Sequence, residues 1–408
     1  MHSVVIGAQW GDEGKGKIVD YLSEEADLVV RFSGGANAGH TIVTGEITYK
    51  LHLIPSGIVY PNTKVVLGTG MVIDPESLFN ELETITNQGV SWEGRVFISD
   101  RAHLVMPSYK KMDVELEKGR RSPIGTTGRG IGVTYSQKAQ REGIRICDLG
   151  DSNFLSTLSE IELQFLNPYI DRIKKMMIDL ASFMDEYKDK KVLFEGAQGI
   201  LLDLDIGTYP FVSSGYAAAA GAALGGGIGP GSLDKVFGVF KAYSTRVGNG
   251  PFPSEFLRER DGELEDYIRD LGREYGVTTG RPRRCGYLDL VALKYACRTN
   301  SIDQLVLTHI DVYDEIKDIQ ICVAYEVDGQ EIVNFPSSRD ILERAKPILK
   351  NFKGWVENIS NVKEYGNLPK NAQDYIKFIE DYTNTPVGIV SVGYQRKQTM
   401  MRTSLWTK

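Results

Sequence analysis

Short apolar runs recur along the chain, each bounded by glycines or polar residues. The runs at 4–6, 28–32, 51–54, 65–67, 96–98, 191–194, 236–242, 304–307 and 387–390 have the length and composition of buried strands. Between them, helical spacing predicts amphipathic helices over 75–86, with Pro75 in the first turn, and over 106–118 and 288–299. The stretch 153–188 is long, charged and helical in period, and reads as an excursion from the main sheet. The segments 319–326 and 330–333 flank Asp328-Gly329, a hairpin signal. Strands alternating with helices predict an α/β fold with a large central, mostly parallel sheet, helices on both faces and small subdomains added. The chain is read as one catalytic domain over 1–408, with the helical excursion near 153–188 and a C-terminal subdomain near 312–385.

The first run leads into Gly7 to Lys17, G-A-Q-W-G-D-E-G-K-G-K, and helical spacing follows over 18–22. A Gly-rich turn between a strand and a helix presents backbone N–H groups to an anion. From Gly11 the spacing fits G-x-x-x-x-G-K, with Gly16 and Lys17, so the architecture is P-loop-like. Ile18 stands where Ser or Thr would give a hydroxyl to Mg²⁺. Asp12 and Glu13 would repel phosphate there unless a cation or a proton transfer employs them. Asp12 is the nearest oxygen that could hold the metal instead. The plain alternative is a Gly-rich turn with solvated charges.

Five further stretches carry chemistry. Ser33 to Thr41 has three glycines, Asn37 and His40, a proton donor or acceptor near neutral pH. G-T-T-G-R-G-I-G at Gly125 combines hydroxyls, glycines and an Arg, as phosphate binding requires. Glu195-Gly196-Ala197-Gln198-Gly199 offers an amide suited to the edge of a base. T-T-G-R-P-R-R at Thr278 is the strongest cationic cluster, a carboxylate or phosphate clamp. The run at 304–307 ends in Thr308-His309-Ile310-Asp311, and a strand ending in T-x-x-D resembles the base-reading loop of GTP-binding proteins, where the Asp carboxylate accepts from guanine N1 and N2.

Composition narrows the class. The chain has 408 residues, 42% apolar and 25% charged, as in a soluble globular protein. Its formal charge of −7 excludes a general nucleic-acid or membrane surface, so an anionic ligand must meet local cations. Cys147, Cys285, Cys297 and Cys322 are scattered and form no zinc spacing, which points to a reducing cytoplasm. No signal-peptide pattern opens the chain, and no apolar run has membrane-spanning length.

In order, the loops resemble the adenylosuccinate synthetase family. The blocks are Q-W-G-D-E-G-K-G-K at Gln9, N-A-G-H-T at Asn37, L-H-L-I-P-S-G at Leu51, G-T-T-G-R-G-I-G at Gly125, F-E-G-A-Q-G at Phe194, K-A-Y-S-T-R-V-G at Lys241 and T-T-G-R-P-R-R at Thr278. Seven blocks in order, from Val4 to Arg402, are very specific. The resemblance implies a GTP-dependent ligase of purine synthesis that phosphorylates O6 of IMP and then lets L-aspartate displace the phosphate. By the same resemblance Asp12 is the base and, with the Gly39 carbonyl, a Mg²⁺ ligand. His40, Lys15 and Gln198 complete the catalytic set. Gly11, Glu13, Gly14, Gly16, Lys17, Gly39, Thr41, Arg283, His309, Asp311, Ser391 and Gly393 would bind GTP. Asn37, Thr127, Gln198, Ser213 and Arg281 would bind IMP, with Arg141 reaching the IMP of a neighbouring subunit in a homodimer. Val277, Thr278, Thr279, Gly280, Arg281 and Arg283 would bind aspartate.

Three departures bear on specificity. His309 replaces a Lys beside the guanine-reading Asp, Ser213 replaces a Thr, and Ser214 to Ala220 replaces a polar run. Two other readings remain at this point. One is a paralogous ligase joining aspartate to a different 6-oxopurine nucleotide. The other is a nucleotide-binding regulatory protein, which Ile18 and the Arg-rich loop disfavour.

Overall fold

The first apolar run forms the strand His2–Gly7, with all six residues buried. It belongs to a ten-stranded, mostly parallel sheet in a computed structural model that describes residues 1–275, 282–404 and 406. Strands buried on both faces need unbroken apolar runs, which is why these segments read so clearly.

The chain divides into two compact units. The first takes in Met1–Val5, Ile18–Ala197 and Ser213–Asp234. In it Val192–Gly199, Leu28–Arg31, Lys64–Leu67, Val96–Ser99 and Met177–Ile178 pair in that order, each pair parallel. The second takes in Ile6–Lys17, Gln198–Val212 and Lys235–Lys408. Here Lys235–Lys241, Gln304–Thr308 and Val387–Ser391 pair in parallel, and Thr399–Met401 adds an antiparallel edge. A second sheet in this unit joins Leu288–Asp289, Asp318–Val327, Gln330–Ile332 and Lys346–Lys353. Its hairpin turns at Asp328 and Gly329, whose φ values of 53° and 79° suit a type I′ turn.

The helices Pro75–Asn87 and Pro107–Gly119 form where periodicity places them, each with proline in its first turn. Other segments differ from the reading of the sequence for local reasons. The stretch 153–188 holds four short helices, Ser152–Leu155, Glu160–Leu166, Ile170–Met176 and Leu180–Asp185, and the strand Met177–Ile178. Ser159 and Glu162 form a capping box that starts a new helix, and Pro168 removes an amide from the next turn. The strand expected at 191–194 spans Val192–Gly199 and includes the polar Glu195, which pairs in register with Arg31. Before Leu290–Asn300, Asp289 caps the helix by accepting the Ala292 N–H at 2.9 Å.

The expected strand at 51–54 stops at Leu51, where Ile47–Leu51 ends. Leu53 and Ile54 are nonetheless fully buried. The carboxylate of Glu81, itself buried, accepts the N–H groups of His52, Leu53 and Ile54, each at 3.0 Å. One side chain thus supplies the acceptors that a neighbouring strand would have supplied. Burial raises the Glu81 carboxyl, and these N–H groups oppose that shift. No helix among the described residues is long and apolar enough to cross a membrane.

Glu81→Ala would orphan three buried donors. It is expected to cost on the order of 3 kcal/mol of stability in urea unfolding. A loss under about 1 kcal/mol would show that the segment finds other acceptors.

Candidate active site

The loop Gly7 to Lys17 sends its two acids in opposite directions. Glu13 is fully buried. Its carboxylate accepts the Gly11 N–H at 2.8 Å and the Gln9 N–H at 3.1 Å, and pairs with the Lys15 ammonium at 2.7 Å. Gly7 and Gly199 make the room: a Cβ on either would lie 2.4 Å from a Glu13 carboxylate oxygen. Asp12 adopts φ 58°, a left-handed conformation, and its side chain is 37% exposed. Arg283 Nε lies 3.0 Å from Asp12 Oδ2, an ion pair without the alignment of a hydrogen bond. Gly11 and Gly14, at φ 90° and 85°, let the backbone turn on either side of the acids.

Arg283 is fixed from behind by Glu274, which is wholly buried. Glu274 Oε2 accepts from the guanidinium at 2.7 Å, and its backbone carbonyl accepts the Arg283 N–H at 2.8 Å. Glu274 Oε1 takes Lys241 Nζ at 2.5 Å and the Tyr243 hydroxyl at 2.6 Å. Burial alone would raise the Glu274 carboxyl, but Lys241, His309 and Arg283 bring it down to about 2. His309 sits at φ 56° with Nδ1 3.4 Å from the Tyr243 hydroxyl. Burial, followed by the Lys241 charge, lowers this imidazole to about 4, so it is neutral at physiological pH. Burial also raises the Asp311 carboxyl.

The second unit brings together most of the residues expected to meet GTP. Thr308 Oγ1 donates to the Glu13 carbonyl at 2.6 Å, and a Cβ on Gly14 would meet Thr308 at 3.6 Å and His309 at 3.7 Å. Gly16 lies in the first turn of Lys15–Ser23. Lys17 Nζ donates to Ser391 Oγ at 2.6 Å, to the Gly393 carbonyl at 2.7 Å and to the Gln398 carbonyl at 3.3 Å. Its ammonium therefore ties the phosphate-type loop to the expected guanine-reading turn. Gln198 has φ 56° and is half-buried.

The first unit carries the other set. His40 begins the strand His40–Thr44, and Thr41 and Gly39 are exposed. Asn37 Oδ1 accepts the Gly35 N–H at 3.3 Å. Ser33 Oγ donates to the Tyr216 carbonyl at 2.7 Å. Tyr135 donates to the Gly70 carbonyl at 2.6 Å and accepts the Gly34 N–H at 3.0 Å. The unusual 214–220 stretch is thereby joined to the loop that leads to His40. Ser213 Oγ accepts the Gly215 N–H at 3.5 Å. In the Gly125 loop, Asp113 accepts from Thr126 Oγ1 at 3.1 Å and from the Gly130 N–H at 2.9 Å, leaving Thr127 exposed. Arg141, exposed at φ 68°, caps the helix Ile131–Gln140. Val277, Thr278, Thr279, Gly280 and Arg281 lie outside the described residues. The residues that flank them, Tyr275 and Pro282, form a β-bridge.

Glu274 carries no signal in the sequence, since it is a lone acid away from a glycine run, and Glu195 enters only as part of the F-E-G-A-Q-G block, where Gln198 holds the attention. Lys241 and Tyr243 fall within the K-A-Y-S-T-R-V-G block, but only as part of that block. For a divalent metal, no group of three or more His, Cys, Asp and Glu converges among the described residues. Mg²⁺ does not require one, because it is commonly held by one or two carboxylates with substrate phosphates and water. The exposed Asp12 carboxylate fits that role.

A family model for adenylosuccinate synthetase matches residues 4–165 and 154–400. The chain is 47% identical to the adenylosuccinate synthetase of Clostridium novyi (strain NT), covering 98% of both chains. It is 46% identical to that of Prochlorococcus marinus (strain MIT 9215), covering 98% of this chain and 96% of the relative. The fully ligated adenylosuccinate synthetase from Plasmodium falciparum superposes with a TM-score of 0.91 at 39% identity, over 98% of this chain and 99% of that one. The succinoaminodeoxyadenylate synthetase of cyanophage S-2L, bound to dGMP and dATP, shares the fold at a TM-score of 0.65 and 19% identity, over 99% and 95% of the two chains.

The depressed His309 pKa has a stability consequence. The unfolded imidazole, near 6.5, binds a proton that the folded one rejects until about 4. Its contribution is complete above pH 6.5 and is lost as pH falls toward about 4. His309→Gln is therefore expected to lose less stability than the parent between about pH 7.5 and 4.5 in urea unfolding. His103, also lowered to about 4, leaves a residual slope in both. Equal losses in parent and variant would contradict the assignment.

Proposed function

The chain belongs to the adenylosuccinate synthetase family, and on that premise we propose how its residues share the work. The reaction is the GTP-dependent joining of IMP and L-aspartate through 6-phosphoryl-IMP, the first committed step from IMP to AMP. One observation carries the assignment of roles. Of two adjacent acids, Glu13 is buried and spent on its own loop, whereas Asp12 is exposed and faced by a cation.

Asp12 removes the N1 proton of IMP, and the electron pair moves to O6. O6 attacks the γ-phosphorus as the bond to the GDP oxygen breaks. The aspartate amine then adds at C6, the C6–O6 bond breaks, and phosphate leaves with the O6 oxygen and the proton that the amine gives up. Arg283 opposes the negative charge beside Asp12 and is held for that task by Glu274. Lys15 and the N–H groups of Gly14 and Gly16 meet the triphosphate, since charge neutralisation and positioning are most of what phosphoryl transfer needs. His40 supports the transferring group, and Gln198 and Asn37 hold the base. Thr127 and Ser213 add contacts to IMP, and residues 277–281 with Arg283 take the aspartate carboxylates. Asp311 and the Ser391–Gly393 turn read guanine. Mg²⁺, with Asp12 and the Gly39 carbonyl as its protein ligands, would neutralise charge on the phosphates. A homodimer in which Arg141 serves the partner's IMP completes the reading, in a cytoplasmic setting supported by the four free cysteines.

Asp12→Ala is expected to hold its melting temperature and to keep less than about 1% of parental turnover, the loss of an essential base. Turnover above a few per cent would count against that role. Steady-state assays with GTP and aspartate should show turnover with IMP well above that with GMP or dIMP. A preference for another purine nucleotide would redirect the reading to a different 6-oxopurine.

A further inference from the structure

We propose that Glu195 is a positioning residue for His40, holding the imidazole in the orientation that the phosphoryl step requires. The proposal rests on the reading that His40 supports that step.

Glu195 lies in the strand Val192–Gly199 and is 4% exposed. A carboxylate so buried must be matched by donors and a countercharge. Ser56 supplies both donors: its N–H reaches Oε2 at 2.9 Å and its hydroxyl reaches Oε1 at 3.2 Å. Arg31, paired with Glu195 across the neighbouring strand and equally buried, supplies the charge. With Oε2 taken by a backbone amide, Oε1 is the oxygen that faces out toward His40, 3.7 Å from Nε2.

His40 is held from its other side. Its strand pairs it with Leu51, and the next three N–H groups are fixed by Glu81. Arg31 also donates to the carbonyls of Gly35 and His52, so the guanidinium that balances Glu195 holds the loop leading to His40 and the residue after its strand partner Leu51. A carboxylate beside an imidazole selects the tautomer and orientation and stabilises the protonated ring. A separation of 3.7 Å is in ion-pair range, and such contacts are commonly long before substrate tightens them. Charge alone on Arg31 would not require this geometry, because a carboxylate turned fully to the guanidinium would do the same.

The test is a double-mutant cycle on the full-length enzyme. Glu195→Gln keeps the shape while removing the charge, its carboxamide oxygen accepting the Ser56 N–H and its NH2 donating to the Ser56 hydroxyl. It should lower kcat roughly 10- to 10³-fold with KM for IMP and GTP within about twofold. His40→Asn should lower kcat by about 10²–10⁴-fold. In the His40→Asn background, Glu195→Gln should cost no more than about twofold, because its effect passes through the imidazole. Ser56→Ala, which frees Oε1 without touching the charge, should show a smaller kcat loss of about 3- to 10-fold and carries the test if Glu195→Gln does not fold. The same fold-loss from Glu195→Gln in both backgrounds overturns the proposal, as does a parental kcat in Glu195→Gln. Parental turnover in His40→Asn would instead overturn the role of His40 itself.

Discussion

The buried carboxylate of Glu13 decides what the first loop can do. A strand–turn–helix with glycines normally leaves its amides for an external anion. Here the amides of Gln9 and Gly11 already have one, inside the chain. These two amides are therefore satisfied without phosphate, and Lys15 is paired with the same carboxylate. Glycine at 7 and 199 is the steric condition for this arrangement, since any side chain there would displace the carboxylate. With Glu13 turned in, the left-handed Asp12 is the acid left exposed.

The same device recurs within each unit. In the second, Glu274 gathers Lys241, Tyr243 and Arg283 around one buried carboxylate. In the first, Glu195 gathers Ser56 and Arg31 and faces His40. Buried carboxylates of this kind are poor sources of stability, because desolvation consumes much of the attraction. Their effect is geometric: a charge with all its donors in place has one orientation, and so do the groups bonded to it. Asp113 and Glu81 do this for backbone, pinning the Gly125 loop and the segment after Leu51.

Much of the fold was legible because apolar strands announce themselves. The runs at 28–32, 65–67, 96–98, 304–307 and 387–390 all became strands of the large sheet. Legibility failed where polar residues did the work of apolar ones. Glu195 continued a strand that hydrophobicity alone ended at Phe194, and Glu81 replaced a strand partner for 52–54. Within 153–188 the helical period persisted through Ser159 and Pro168, but caps and a missing amide cut the helix into pieces.

For the site, the sequence by itself determined the chemistry on offer: glycine turns, two acids in a phosphate-type loop, a His, and an arginine cluster, in an order specific to one family. These are local, because spacing and residue type survive without contacts. Which acid is exposed, which lysine is spent on a turn, and which distant carboxylate holds each cation were decided only by tertiary structure. Lys17 and Ser391 are 374 positions apart, and Glu195 and Ser56 are 139 apart. No local pattern encodes such pairs; they exist because burying a charge in a folded core compels it to find its partners there.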